Sequence, residues 1–177
     1  MNDAISDNII QILTFRIGKE LFALDVSCVR EVLDIVDIRR VPKAPEFMRG
    51  IINVRGNIVP VIDMGYKLGM QKAESNVDSR IIVIDFNTET NMIVVGALAD
   101  SVHEVIDLDL SQTQPPPEIN SRWESGYIKG IAKYNNEFIM LLDIDSIFSE
   151  AELMGISNHE AANPDIPDEE NLKAAAA

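Results

Sequence analysis

The sequence has very little cysteine and no long apolar run. Its 177 residues contain one cysteine, Cys28, so no disulfide can form within the chain, as is typical of a reducing compartment. No stretch approaches the roughly 18 to 20 consecutive apolar residues of a membrane-spanning helix. The first residues, MNDAISDN, lack the basic and then apolar segments of a secretory signal. We therefore expect a cytoplasmic protein with no segment inserted in a membrane.

Residues typical of catalytic sites are also scarce. The two histidines are His103, predicted on the polar face of a strand, and His159, near the C-terminus, and both suit exposed or structural roles better than catalysis. No GxGxxG motif and no P-loop occurs. Asp63, Asp143 and Asp145 remain as an alternative metal site, although each also suits a turn or a helix cap at a strand end. The prediction is a protein without catalysis or a cofactor, and the alternative is an enzyme that uses these aspartates.

Basic residues are outnumbered by acidic ones, 15 to 29, which gives a net charge of −14. Such a surface repels nucleic acid and anionic membranes, so neither is an expected partner. The segment from Glu150 to Ala177 contains seven acids and one lysine, and from about residue 157 its composition is that of a disordered tail. The first half, by contrast, holds a group of basic residues that suits an acidic protein partner, with scattered solvated charge as the alternative. These residues are Arg30, Arg39, Arg40, Lys43, Arg49 and Arg55.

The most regular pattern is the stretch from Gly50 to Met64, GIINVRGNIVPVIDM. Two runs rich in β-branched residues favour extended backbone, and Gly56-Asn57 between them can adopt the positive φ of a tight turn. Pro60 cannot donate a hydrogen bond to a neighbouring strand, so it indicates an edge position or a bulge. The stretch therefore predicts a β-hairpin with a charged tip.

An internal repeat extends this pattern over most of the chain. Residues 130–148 align without a gap on residues 50–68, and residues 94–107 align on residues 21–34. The two spacings, 80 and 73 residues, differ by seven, which corresponds to a proline-rich insertion near residues 114–118 in the second copy. A repeat of this length indicates two similar units. Many short strands separated by turns then predict two small β-barrels packed together rather than a parallel sheet.

Local patterns predict the remaining elements. Residues 13–17 and 21–24 alternate as strands around a Gly18-Lys19 turn, and a short turn followed by a strand is favoured over a helix in residues 26–35. The prolines in residues 42–45 indicate a loop, and the continuous apolar run in residues 81–84 indicates a strand buried on both faces. A final helix capped by Asp145 is expected to pack across the barrels through Ile147, Phe148, Ala151 and Met154.

Two further features are candidates for function. Glu31 and Arg55 are charged residues within apolar runs of different blocks, so a desolvated ion pair between them is expected, with contact to a partner as the alternative. Several apolar residues are usually core residues, but if some face outward, the seam between the two units becomes a docking groove. They are Val29, Leu98, Val102 and Val105.

Several of these motifs resemble the CheW family of chemotaxis coupling proteins. The resemblance covers about residues 9–150 and rests on FALDVSCVREVL, VPKAPEFMRGIINVRGNIVPVIDM, VVGALADSVHEVI, PPPEI and YIKGIAKYNNEFIMLLDIDSIF, in this order. It implies two five-stranded SH3-like β-barrels, a first at about residues 9–75 and a second at about 78–148, with exchange of edge elements as an alternative. A C-terminal helix to about residue 156 and a tail from 157 to 177 complete the expected organisation.

The resemblance also implies partners and binding residues. It implies a non-catalytic adaptor that joins the regulatory domain of the histidine kinase CheA to the cytoplasmic tips of methyl-accepting chemotaxis receptors. A CheW-like adaptor of another chemosensory pathway, such as surface motility, is the alternative. Val54 and Met64 depart from the leucines usual in the family, and the acidic tail lies outside its pattern. By position, the receptor site maps to Val29, Glu31, Leu98, Val102 and Val105, the kinase site to Ile38, Arg40, Val41, Gly56 and Asn57, and the family's signature charged pair to Glu31 and Arg55.

Overall fold

The computed structural model describes residues 8–71, 74–89, 91–117 and 126–161 of the chain, with ten strands and three α-helices among them. Two short 3-10 helices lie at Val26–Cys28 and Leu110–Gln112. The strands are β1 Ile9–Ile17, β2 Glu20–Asp25, β3 Val29–Asp34, β4 Met48–Val54, β5 Asn57–Asp63, β6 Arg80–Asn87, β7 Met92–Ala99, β8 Ser101–Asp109, β9 Ile128–Tyr134 and β10 Glu137–Leu142. The helices are α1 Met64–Lys67, α2 Ile144–Ile147 and α3 Glu150–Ala161.

The strands form two five-stranded sheets, which confirms a mainly β protein with two five-stranded units. The first sheet has the order β8-β1-β2-β10-β9, and the second has the order β3-β6-β7-β5-β4. Each sheet therefore combines a hairpin from one repeat with three strands from the other. Parallel pairing of β2 with β10 and of β7 with β5 joins the two contributions. The sheets thus correspond to the exchanged arrangement and not to the contiguous ranges 9–75 and 78–148.

Three apolar clusters account for this arrangement. The largest lies between the sheets and includes Phe15, Ile82, Ile84 and Phe148. Each sheet also curves around a smaller cluster of its own. Ile82 and Ile84 of β6 belong to the shared cluster and Ile81 belongs to the second sheet's own cluster, and all of residues 81–84 are fully buried. Their uninterrupted apolar sequence follows from this burial on both faces.

The repeat is visible in equivalent contacts 80 residues apart. The Asp63 amide donates to the Phe47 carbonyl, and the Asp143 amide donates to the Tyr127 carbonyl, both at 2.8 Å. Isolated bridges join Arg39 to Ile51 in one copy and Gln114 to Ile131 in the other. Each bridge adds a short extended segment beside the edge strand, β4 or β9. Both copies therefore share the same local design although their strands belong to different sheets.

The central hairpin differs from the sequence prediction at its turn and at its proline. The positive φ angles fall on Arg55 and Gly56, 53° and 86°, whereas Asn57 already begins β5. Pro60 lies in β5, an interior strand, and not at an edge. The backbone of Ile51, its partner in β4, bonds to Arg39 instead, and the pairing of β5 with β7 begins only at Val61. The missing N–H of the proline is therefore not needed by either neighbouring strand.

The C-terminal helix is divided into two pieces. Helix α2 ends at Ile147, and α3 begins after Ser149, whose hydroxyl accepts from the Glu152 amide while its own amide donates to the Glu152 carboxylate. This reciprocal arrangement is a capping box, which separates α3 from α2. Met154, predicted to pack, is exposed, and Leu153 and Ile156 contact the shared core in its place.

The backbone helix of α3 continues to Ala161, so the tail predicted from residue 157 does not begin there. The rest of that predicted tail, from residue 162, lies outside the described residues, as does residue 118 at the end of the proline-rich insertion.

Lys67 attaches α3 to the rest of the molecule. Its ammonium group lies 2.5 Å from the Glu152 carboxylate. The same group lies over two aromatic rings, 5.0 Å from the ring centre of Phe47 and 5.3 Å from that of Phe148. Partial burial alone would raise the pKa of Glu152, but hydrogen bonds from Lys67 and Ser149 lower it below its ordinary value. The helix is therefore held by a charge pair as well as by apolar contacts.

Candidate functional site

The first candidate surface lies where edge strands β3 and β8 border the core between the sheets. Val29 pairs with Ile84 and Val102 with Phe15, and both of these partners belong to the shared core. Directly paired residues of neighbouring strands project to the same face of a sheet. The valines therefore line the open border of the shared core. We call this border the seam and define it by Val29, Val32, Val102 and Val105.

Exposure distinguishes the members of the seam. Val105 is 51% exposed and Val32 is 39% exposed, while Val29 and Val102 are partly buried against the shared core. Leu98 was predicted on this surface, but it is 1% exposed in the second sheet's own core. It lies on β7, the middle strand of its sheet, where both faces are covered.

Sequence analysis did not assign Val32 to this surface. The signal was present, because Val32 aligns with Val105 at the repeat spacing of 73 residues. Both side chains project from an edge strand on the side of the shared core, opposite Ile82 and Leu13 respectively. The internal repeat therefore makes the β3 half of the seam equivalent to its β8 half.

The second candidate surface surrounds Glu31 and Arg55. The Arg55 guanidinium donates to the Glu31 carboxylate at 2.8 Å, which joins edge strand β3 to the turn beside the opposite edge strand β4. The Arg55 side chain is 82% exposed and that of Glu31 is 20% exposed, so the predicted pair forms but is not desolvated. An exposed pair of this kind adds little to stability. The Arg55 guanidinium is therefore open to solvent although it is bound to Glu31.

An open groove extends from this pair across one end of the second sheet. It combines charged groups with apolar side chains. A second ion pair joins Arg30 of β3 to Asp85 of β6 at 2.9 Å. Gly56 and Asn57, two of the predicted kinase contacts, are exposed here. The lining residues are Arg30, Glu31, Val54, Arg55, Gly56, Asn57, Ile58, Val59, Val83, Met92 and Val94.

The other three predicted kinase contacts lie beside β4, an edge strand of the second sheet, but at a different position along that strand. Ile38, Arg40 and Val41 belong to the loop that pairs with the middle of β4 at Ile51, whereas Gly56 is in the turn beyond the end of β4. The turn begins four positions after Ile51, which corresponds to about 13 Å along a strand. The five predicted contacts thus share one edge of the second sheet without forming one compact cluster.

The first sheet has a contact that corresponds to the Glu31–Arg55 pair but uses different side chains. Glu104 aligns with Glu31, and the Tyr134 hydroxyl lies 3.5 Å from its carboxylate. In the equivalent turn, Asn135 takes the place of Arg55. The repeat therefore preserves the acidic residue of the edge strand, while the arginine is specific to the second sheet.

Residues that sequence analysis considered for catalysis are placed in structural contacts. Asp63 caps α1 by accepting from the Tyr66 amide at 3.0 Å, and Asp143 accepts from the Ser146 hydroxyl at 2.8 Å. Burial, and then the charge of Asp25, raise the pKa of the Cys28 thiol to about 11. No group of three or more histidine, cysteine or acidic side chains in the described ranges is arranged to hold a metal ion. Within the same ranges, no helix is long and apolar enough to cross a membrane.

Comparison with known proteins identifies relatives over most of the chain. A family model described as the CheW-like domain matches residues 11–152. The chain is 29% identical over 157 residues to "Chemotaxis protein CheW" of Treponema pallidum, covering 88% of this chain and 91% of that protein. It is 33% identical over 142 residues to "Probable chemotaxis protein CheW" of Rhizobium etli, covering 80% and 89%. The crystal structure of scaffolding protein TtCheW from Thermoanaerobacter tengcongensis superimposes with a TM-score of 0.70 and 36% identity, covering 79% of this chain and 88% of that one.

Proposed function

This chain belongs to the CheW family, and from that premise we propose that it is a non-catalytic adaptor that couples chemotaxis receptors to the histidine kinase CheA. In this role it is a cytoplasmic protein that its partners recruit to receptor arrays at the membrane. Its partners are the cytoplasmic tips of methyl-accepting chemotaxis receptors and the regulatory domain of the kinase. Neither nucleic acid nor a cofactor takes part.

The observation that carries this proposal is the presence of candidate surfaces at two different edges of one molecule with a shared core. The seam is apolar and follows edge strands β3 and β8, whereas the loop before β4 and the turn at Gly56 and Asn57 lie at the opposite edge of the second sheet. The charged groove extends between them, from Arg30 and Glu31 on β3 to that turn. An adaptor needs two surfaces that can be occupied at the same time, and a rigid connection lets a movement of one partner bias the other.

The seam suits a helical receptor tip. Its four valines present an apolar strip that is partly exposed at Val32 and Val105, and an amphipathic helix can lay its apolar face along such a strip. Glu31 lies on the same strand as Val29 and Val32 and is 20% exposed. It can therefore contact the receptor or orient Arg55. Leu98 is not part of the proposed receptor surface because it is buried.

The kinase surface is proposed at the β4 edge of the second sheet. Edge strands offer unpaired backbone groups, and among the described residues the Arg39 bridge is the one backbone pairing on the open side of β4. Ile38, Arg40 and Val41 flank that bridge, and Gly56 and Asn57 follow at the turn. A related β-domain of the kinase can pack against this edge through the half-buried apolar side chains of the loop.

The test measures binding of each partner separately with single-site variants. Val105→Glu is expected to abolish binding of a receptor signalling fragment without changing binding of the kinase regulatory domain. Arg40→Glu is expected to have the opposite effect. Val77→Glu is the matched control, because Val77 is 90% exposed and lies outside both surfaces. Unfolding curves for each variant show whether the protein remains folded.

Kinase autophosphorylation then tests the coupling itself. The wild-type protein is expected to activate the kinase only when the receptor fragment is present, and both surface variants are expected to remove this activation. If the folded wild-type protein fails to activate an active CheA-type kinase, the coupling proposal is wrong for that pathway. Activation of a kinase from another chemosensory pathway would then identify the alternative role.

A further inference from the structure

The loop that precedes β4 carries three cations with no ion-pair partner among the described residues. Arg39, Arg40 and Lys43 are exposed, and none of them forms a salt bridge within the described ranges. We call residues 37–45 the basic loop. Six other described cations do have carboxylate partners, namely Arg16, Arg30, Arg49, Arg55, Lys67 and Arg80.

This clustering is unusual for so acidic a protein. The net charge is −14, so carboxylates are plentiful, yet three cations lie within five residues without one. Asp37 is the one acidic residue within the loop, and among the described residues no salt bridge joins it to these cations. The loop therefore presents a local positive potential on an otherwise negative surface, which attracts an acidic segment.

The basic loop is held in a defined shape. The Arg39 amide donates to the Ile51 carbonyl at 2.9 Å, and the Ile51 amide donates to the Arg39 carbonyl at 2.8 Å. Gly50 allows this approach, because a Cβ at that position would lie 2.1 Å from the Arg39 carbonyl oxygen. A second backbone bond joins the Met48 amide to the Pro45 carbonyl. A ligand of this loop therefore meets a preorganised site.

Apolar side chains accompany the cations. Val36 is 44% exposed just before the loop, and Ile38 and Val41 are half-buried within it. A matching ligand combines several carboxylates with one or two apolar residues. Residues 162–177 have this composition, because they contain four acids, Ile166 and Leu172, with Lys173 as the one basic residue.

The segment 162–177 can reach the basic loop. Helix α3 begins beside the loop's C-terminal end, since the rings of Phe47 and Phe148 are 5.9 Å apart. Sixteen residues span up to about 50 Å when extended, whereas a domain of this size has a radius of gyration of only about 15 Å. A segment tethered in this way has an effective concentration of about 1 mM at its target. Even a weak electrostatic contact is then substantially populated.

We propose that residues 162–177 fold back onto the basic loop of the same molecule. Asp165, Asp168, Glu169 and Glu170 face Arg39, Arg40 and Lys43 in this contact. Its consequence rests on the proposed function, which places the kinase regulatory domain on Ile38, Arg40 and Val41. The segment then competes with the kinase and lowers its apparent affinity.

The first experiment detects the contact without any partner. In the full-length chain with Cys28→Ser, a spin label at Ala174→Cys is expected to broaden the amide signals of residues 38–43 in NMR spectra. Raising the salt from about 0.05 M to about 0.5 M should weaken the effect, because exposed charges are screened. Arg40→Glu with Lys43→Glu should abolish it. The matched control is Lys129→Glu with Lys133→Glu, two exposed cations on β9 that have no ion-pair partner in the described part of the chain, and it should leave the broadening unchanged.

Two results overturn the proposal. One is the absence of broadening in the basic loop at low salt. The other is broadening that arises only between molecules. It is detected by mixing spin-labelled protein without ¹⁵N with ¹⁵N-enriched protein without a spin label, and it would mean that the segment binds a second copy of the chain.

A second experiment separates this proposal from the proposed function. Neutralising the four acids, with Asp165→Asn, Asp168→Asn, Glu169→Gln and Glu170→Gln, is expected to tighten kinase binding about two- to tenfold, for a contact with a dissociation constant of about 0.1 to 1 mM. If the NMR contact is present and kinase affinity does not change, the contact is upheld and the kinase surface is wrong. If the NMR contact is absent and the kinase still binds, the proposed function stands and the fold-back contact does not.

Discussion

Replacing Arg55 by asparagine separates a structural role of this residue from a role in signalling. Arg55 adopts a φ of 53°, a left-handed conformation that is unfavourable for a long side chain. The equivalent position of the second hairpin is Asn135, with a φ of 48°. Asparagine tolerates this conformation because its short side chain can hydrogen-bond locally. The Arg55→Asn change therefore removes the ion pair with Glu31 and relieves the backbone at the same time.

The two effects are of similar size. The pair is short, 2.8 Å, but the Arg55 side chain is 82% exposed. Exposed pairs contribute only about 0.2 to 1 kcal/mol to the free energy of unfolding. Relief of the left-handed backbone returns about 1 kcal/mol. The net change is expected to lie within about 1 kcal/mol, which corresponds to a Tm shift of no more than about 2 to 4 °C for a domain of this size.

Thermal unfolding and receptor-dependent kinase activation are measured on the same preparations. We expect Arg55→Asn to unfold near the wild-type temperature while losing most of the activation. Glu31→Gln is the control, because it breaks the same pair without changing the backbone at residue 55. It should be slightly less stable than Arg55→Asn. A fall in Tm of more than about 6 °C for Arg55→Asn would show that the pair holds the fold, since it exceeds the whole contribution of an exposed pair.

Three further predictions concern other parts of the structure. Gly50→Ala should destabilise the protein by more than about 2 kcal/mol, because the new Cβ would lie 2.1 Å from the Arg39 carbonyl oxygen. The equivalent change Gly130→Ala should cost less, because its Cβ would lie 3.3 Å from the Gln114 carbonyl oxygen. Equal losses of Tm in thermal unfolding would contradict this. The lowered pKa of Glu152 stabilises the folded state above its ordinary value of 4.5, and this contribution is lost as the pH falls through the folded-state pKa. Stability measured by urea unfolding should therefore fall less steeply in acid for Glu152→Gln than for the wild type, and parallel pH profiles would exclude a contribution from the Lys67 pair. Because burial and then Asp25 raise the pKa of Cys28 to about 11, iodoacetamide should alkylate the folded protein slowly at pH 8 and the urea-unfolded protein rapidly, and equal rates would refute a shielded thiol.

Much of the fold was predictable because its signals are local. The strands follow from alternation and β-branched runs, and the second hairpin turn lies at Asn135-Asn136, two residues of a type that tolerates their positive φ. In the first hairpin the same reasoning assigned Gly56-Asn57, whereas the turn is Arg55-Gly56. Propensity disfavours arginine in that conformation, although the repeat alignment places Arg55-Gly56 on the Asn135-Asn136 turn of the second hairpin.

The sequence by itself determined the two repeats, their strands, the Glu31–Arg55 pairing and the family. The repeats and strands are recorded in neighbouring residues or in the alignment of one half with the other, and the pairing was inferred from two charged residues set in apolar runs. The tertiary structure decided which strands share a sheet, because the parallel pairings of β2 with β10 and of β5 with β7 join residues far apart in the chain. Those pairings place β7 in the middle of its sheet, which buries Leu98, and place β3 and β8 at edges, which exposes Val32 and Val105. Burial depends on what covers a strand, and that depends on long-range pairing which local periodicity does not encode.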